Sequence, residues 1–313
     1  MAHNAPGKHY RKGLSLVKLT KMFPDDKTAE KWFIKTRWPT GVACPKCGSF
    51  NIQERKTRKP QPYRCRDCRK DFSVKTGTLM QASNLGLQIW AIAIYLYTTG
   101  LKGTSSMKLH RDLDITQKSA WHLAHRIRET MEDRAPELLF GGPIEADETY
   151  VGGLEKNKHS HKKNRAGRGT VGKATVAGIK DRATNQVRAQ VVPSTDAKTL
   201  QGFVREHAED NAVVYTDEHR AYQGLPNHQT VKHSVSEYVR DQAHTNGLES
   251  FWSLLKRGYH GTYHHMSEKH LGRYVNEFAG RYNIRPRDTL DQMQSVVRAM
   301  DGKRLRYKDL VGE

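Results

Sequence analysis

Long apolar runs are missing from this chain. The longest, Ile89–Tyr97 (IWAIAIYLY), falls far short of the ~20 residues that span a bilayer. The N-terminal MAHNAPGKHYRKG carries no apolar h-region, so no secretory signal is expected there. Cysteine is scarce as well: four residues in 313, grouped in two close pairs. That usage argues against a disulfide framework and suits a metal site in a reducing, cytoplasmic setting. Acidic residues are in deficit, 33 Asp+Glu against 53 Lys+Arg, for a formal net charge of +20. The imbalance points to a polyanionic partner. No long basic amphipathic helix stands out, which favours nucleic acid over a membrane surface.

The length suits a catalytic domain with one or two small modules. Residues 1–40 read as a loose basic arm followed by one short helix, Pro24–Pro39. Asp25 or Asp26 caps that helix, Trp32 and Phe33 give it an apolar side, and Pro39 stops it. Residues 41–81 read as a zinc ribbon. Cys44-x-x-Cys47 and Cys65-x-x-Cys68, separated by 17 residues, have the paired-knuckle spacing that lets four thiolates close a tetrahedron around one ion. With four cysteines the site is closed, so the zinc is expected to be structural. Arg55, Lys56, Arg58, Lys59, Arg64 and Arg66 crowd this module. They are either solvated surface or phosphate contacts, and their concentration favours the second.

Residues 82–140 carry helical periodicity. Leu87, Trp90, Ala91, Ile94 and Tyr97 recur on one face. A short helix Ser105–Leu113, a turn at Asp114–Thr116 and a helix Gln117–Arg134 make a helix-turn-helix-like trace. Gln117, Lys118, Ser119 and His122, at the start of the second helix, are candidate DNA contacts. A structural three-helix connector would give the same trace.

From residue 141 the texture changes to an α/β pattern. Strands are expected at Ile144–Val151, Thr175–Lys180, Gln186–Pro193, Ala212–Thr216 and Thr230–Val235, with a helix at Ala197–Ala208. Three strands followed by helix–strand alternation predict a mixed sheet with helices packed on it. The insertion 153–173 is basic and Gly-rich; Lys162, Lys163, Arg165 and Arg168 make it a candidate phosphate-gripping flap, or an idle loop. Helices at Gly247–Arg257 and Ser267–Tyr282 follow, and the remaining residues, with 291–313 at their end, read as a charged tail.

Three separated acids stand out: Asp147 in IEADETYVGG, Asp217 in AVVYTDEHRAY and Glu249 in HTNGLESFWSLLKRG. Hard divalent cations take carboxylate oxygens, and a metal pair can clamp both the attacking and leaving oxygens of a phosphodiester. Each acid also has a plain reading. Asp147 could belong to a surface patch with Glu145 and Glu148, and Asp217 could close a strand. Asn246-x-x-Glu249 has the spacing of a helix capping box. Lys256 lies two helical turns beyond Glu249, on the same face.

These segments resemble a known family. RWPTGVACPKCGS with the second knuckle, IEADETYVGG, VVYTDEHRAY and HTNGLESFWSLLKRGYHGTYHHMSEKHLGRYVNEF are similar to the DDE-type insertion-sequence transposases with an N-terminal zinc ribbon. This is the ISXO-like group, related to the Merlin elements. The resemblance implies a ribonuclease-H-like catalytic domain over 141–290. It also implies two Mg²⁺ ions, replaceable by Mn²⁺, on Asp147, Asp217 and Glu249. The expected activity is cleavage and transfer of DNA strands at terminal inverted repeats, by a dimer or larger assembly acting at the nucleoid. In this group the third ligand varies. Glu249 is preferred here because a carboxylate holds a hard cation better than an amide, and Asn246 is the alternative. Two other functions compete, a hydrolytic nuclease or resolvase of the same fold and a non-catalytic DNA-binding regulator. The end-recognition modules argue against the first, and the intact acidic set with Lys256 argues against the second.

Overall fold

The computed structural model describes residues 11–55, 57–132, 137–153, 159–163, 169–217, 219–230 and 245–312. The chain divides into two compact units, Met1–Met131 with Ile284–Glu313, and Glu132–Asn283.

In the first unit, α1 (Leu16–Met22) is capped by the Ser15 hydroxyl and buries Leu19. Residues 16–22 are therefore a packed helix where the sequence suggested a loose arm; residues 1–10 lie outside the described set. In α2 (Asp26–Arg37) the two candidate caps divide their work. Asp25 accepts from Thr28 N at 2.7 Å. Asp26 instead accepts from Gln88 N at 2.8 Å, at the start of α3 (Leu87–Thr99). The N-cap of α3 is Gly86, which has no side chain to offer. Between α2 and α3, strands β1 (Ile52–Glu54), β2 (Tyr63–Cys65) and β3 (Asp71–Phe72) form an antiparallel three-stranded sheet. Trp38 packs edge to face against both Tyr63 and Phe72 in its small core.

Helix α3 is apolar nearly all round, with Trp90, Ala91, Ala93, Ile94 and Tyr97 fully buried. A helix without a polar face must be enclosed, and α3 is the centre of this unit's core. Helices α4 (Ser106–Leu113) and α5 (Gln117–Arg128) follow, joined through Asp114 in the left-handed conformation.

The second unit is built on a five-stranded mixed sheet: β4 (Ile144–Val151), β5 (Ala174–Asp181), β6 (Val187–Val192), β7 (Val214–Thr216) and β8 (His228–Thr230), in the order β6-β5-β4-β7-β8. The β4–β5 and β5–β6 pairs are antiparallel, whereas β4–β7 and β7–β8 are parallel. Strand alternation sorts side chains to two faces. Ile144, Ala146, Ala177 and Ile179 meet α6 (Ala197–His207). Val151, Val176 and Val187 meet α7 (Asn246–Gly258) and α8 (Glu268–Ile284). A π-helical turn, Tyr259–Tyr263, continues α7. The fifth strand begins at His228; its expected continuation over 231–235 lies outside the described residues.

The last segment returns to the first unit. Helices α9 (Thr289–Arg298) and α10 (Tyr307–Val311) bury Met293, Val296, Val297 and Leu310 in the same core as α3. Residues 289–311, taken as a charged tail on their polar surface, therefore carry a buried apolar stripe.

Candidate active site

The central strand β4 carries acids on both faces. Glu145 and Asp147, two residues apart, share the α7 face, and Glu148 turns to the other. The parallel pairing Ile144↔Val214 and Glu145↔Tyr215, continued two steps, sets Asp147 beside Asp217, one residue past the end of β7. The Asp147 carboxyl is pushed up to about 7 by burial first, then by the charges of Asp217 and Glu148. Two donors hold it: Glu148 N on Oδ1 at 2.8 Å and Trp252 Nε1 on Oδ2 at 2.9 Å. Asp217 Oδ1 accepts from His219 N at 3.0 Å. Glu148 accepts from the Tyr222 hydroxyl at 2.9 Å, with His219 Nε2 at 3.9 Å, and burial raises its pKa too. Like-charged carboxyls gathered in a partly buried site form a donor set that a divalent cation would relieve.

Helix α7 departs from the capping-box expectation. Its N-cap is Thr245, and Asn246 is the first helical residue. Glu249 Oε1 accepts from the Thr245 hydroxyl at 3.3 Å. The helix start is held instead by Glu145, which is 1% exposed. Its Oε2 accepts from Leu248 N at 2.7 Å and its Oε1 from Arg182 Nε at 2.9 Å. A buried carboxylate at a helix N-terminus satisfies orphan N–H groups and complements the dipole. Asn246, Glu249 and Lys256 are all exposed. Asp147, Asp217 and Glu249 do not offer oxygens that all lie within 4.8 Å of one another; among the described residues the group meeting that spacing is Cys44, Cys47, Cys65 and Cys68.

The four thiols fit zinc. Sγ–Sγ separations are 3.6 Å for Cys44–Cys68 and for Cys47–Cys65. Thiolates at ~2.3 Å from a tetrahedral ion sit about 3.8 Å apart.

The candidate DNA contacts are variously placed. Arg55, Arg58 and Arg64 all pair with Asp71, the latter two at 3.1 and 3.3 Å, so part of the ribbon's charge is spent internally. Lys59 and Arg66 are exposed, and Lys56 lies outside the described residues. On α5, Gln117 is exposed, but Ser119 bonds the Thr116 cap and His122 Nε2 bonds Leu305 O at 3.1 Å. Lys118 lies over the Tyr307 ring, 4.3 Å from its centroid. Lys163 is exposed. The Lys162 side chain, Arg165 and Arg168 lie outside the described residues.

Two family descriptions match this chain: an ISXO2-like transposase domain over residues 139–283, and a transposase zinc-ribbon domain over residues 24–71. The chain is similar to the ISXO2-like transposases in both segments. A protein of the transposable element ISH50 from Halobacterium salinarum is 28% identical over 278 residues, covering 84% of this chain and 93% of that protein. A transposase-like protein of Haemophilus influenzae is 28% identical over 102 residues, covering 31% of this chain and 81% of its own. The transposase domain coincides closely with the second unit, so the family match and the acidic pair fall on the same sheet.

Sequence reasoning missed Trp252, Tyr222 and His219 as partners of the acids, and Glu145 as the anchor of the α7 start. Trp252 left a trace, one helical turn beyond Glu249. His219 N is a local partner of Asp217, two residues on, whereas Tyr222 on Glu148 needed the tertiary fold.

Proposed function

We propose that this chain is an insertion-sequence transposase that binds terminal inverted repeats as a dimer or larger assembly, then cuts and joins DNA strands by DDE chemistry. The observation that carries the reading is the juxtaposition of Asp147, midway along β4, with Asp217, one residue past the parallel strand β7; burial and then the charge of Asp217 push the Asp147 carboxyl up to about 7. The sheet order, with three antiparallel strands extended by two parallel ones, supports a ribonuclease-H-like fold. Asp147 and Asp217 would hold Mg²⁺, or Mn²⁺ in its place, with Glu249 as third ligand and Asn246 as the alternative. The bound ions would lower the pKa of a water or a 3′-OH and offset the charge that builds on the phosphate. This chain's own residues orient those oxygens: Trp252 and Glu148 N fix Asp147, and His219 N fixes Asp217. Lys256, exposed on α7, is the candidate to hold the DNA backbone. Cys44, Cys47, Cys65 and Cys68 would hold one structural zinc.

Lys59, Arg66 and Gln117 remain outward-facing on the first unit and are the better candidates there for DNA contact. The zinc ribbon and the α4–α5 pair would read the ends.

The test is a strand-transfer assay on supercoiled DNA bearing the element's own ends, with Mg²⁺. Expected products are nicks with free 3′-OH groups at the ends, followed by joined molecules. Cutting that ignores the ends and never yields joined product would replace this reading with that of a hydrolytic nuclease.

A further inference from the structure

We propose that Trp252 is a positioning residue for Asp147 and that Gly178 is the notch that lets its indole reach the carboxylate. The inference rests on the reading of Asp147 as a metal-binding group.

Gly178 is the direct partner of Asp147 across the β4–β5 ladder. A methyl at position 178 would stand 2.6 Å from Trp252 Cη2 and 2.7 Å from Cζ2, inside van der Waals contact. The ring therefore lies against the Gly178 backbone, where any other side chain would lift it away. From there Nε1 donates to Asp147 Oδ2 at 2.9 Å, while Glu148 N donates to Oδ1 at 2.8 Å. One donor on each oxygen sets the plane of the carboxylate and leaves each oxygen a lone pair for a ligand. An indole N–H suits this task because it donates without carrying charge. A lysine or arginine in its place would compete with a cation.

The spacing of the two elements supports the same conclusion. Glu145 binds Leu248 N and Asp147 binds Trp252. Two residues along a strand advance about 6.6 Å and four along a helix about 6 Å, so both contacts form at once only when α7 runs beside β4 in this register. The tether thus also holds the start of α7, with Asn246 and Glu249, at a set distance from Asp147. A tryptophan serving only as core filling would need neither the N–H nor the glycine beneath it.

The experiment uses the full-length, zinc-loaded protein and Mn²⁺ as probe. Trp252→Phe keeps the ring over Gly178 and removes the donor. Mn²⁺ affinity, read by electron paramagnetic resonance of the free ion, should fall about 10-fold, as should kcat for end cleavage, while DNA affinity and Tm stay near the parent's. Gly178→Ala, which displaces the ring, should give the same pair of losses. In the parent, Mn²⁺ should broaden one of the five tryptophan indole ¹H–¹⁵N resonances, a reading that requires no variant to fold. Parental Mn²⁺ affinity and kcat in Trp252→Phe, or no broadened indole, would overturn the proposal. Asp217→Asn separates the two levels. If it is inactive while Trp252→Phe matches the parent, only the tether fails; if Asp217→Asn cleaves normally, the catalytic reading fails with it.

Discussion

Asp147 concentrates the electrostatics of the second unit. Its ordinary value of 3.8 rises to about 7 through burial, then Asp217, then Glu148. A carboxyl raised in the folded state binds more protons there than in the unfolded chain, so stability must fall as pH rises between about 4 and about 7. Metal-free protein is therefore expected to melt at lower temperature at pH 7.5 than at pH 5. Asp147→Asn should flatten that slope, and Mg²⁺ should restore the loss at pH 7.5. Calorimetry across this range checks it; a parent that gains stability over the window would contradict the crowding of Asp147. Asn at 147 or at 217 keeps shape but removes charge. End cleavage should then drop more than about 100-fold while DNA binding persists, and activity within a few-fold of the parent would remove that residue from the site.

At the scale of elements, α7 is the part whose placement matters most, and Glu145 secures it. This buried acid joins the helix start to Arg182, which itself lies over the Tyr215 ring at 4.4 Å. Glu145→Ala removes a buried carboxylate acceptor from both partners and should cost about 3 kcal/mol, seen by urea unfolding of the full chain. A loss under about 0.5 kcal/mol would mean the helix is seated by its apolar face alone. Glu249, by contrast, is exposed, and its Oε1 accepts from the Thr245 hydroxyl at 3.3 Å. Glu249→Gln should leave stability nearly unchanged and abolish cleavage. If Asn246→Ala abolishes it instead, in folded protein, the third ligand is Asn246.

For the whole molecule, the first unit is discontinuous in sequence. Met293, Val296, Val297 and Met300 complete the core around α3. A fragment ending near residue 140 should consequently expose that core and bind dye or aggregate, whereas residues 11–131 linked to 284–312 should unfold cooperatively and prefer element ends to random DNA. Equal affinity for both DNAs would leave only counterion release from a chain of charge +20. Within this unit, one zinc per chain is expected by elemental analysis, lost in Cys65→Ser together with the ribbon's order. A stoichiometric disulfide in reduced protein would exclude it.

What the sequence by itself determined was whatever short-range chemistry encodes. Paired Cys-x-x-Cys spacing brings four thiols to one point because a knuckle is a local turn. β4 was legible to the residue, as Ile144–Val151. Asp147 was legible as an acid on a strand and Asp217 as an acid closing one. The tertiary structure decided what depends on partners far away in the chain. It set β7 parallel to β4, so that the charge of Asp217 acts on Asp147 across 70 residues of chain, and it moved the cap of α7 from Asn246 to Thr245. It spent three ribbon arginines on Asp71 and drew the polar-looking C-terminal helices into the first core. Burial and like-charge crowding act through space, and no spacing along the chain announces which side chain will answer them. Trp252 on Asp147, across a glycine notch, is the case in point.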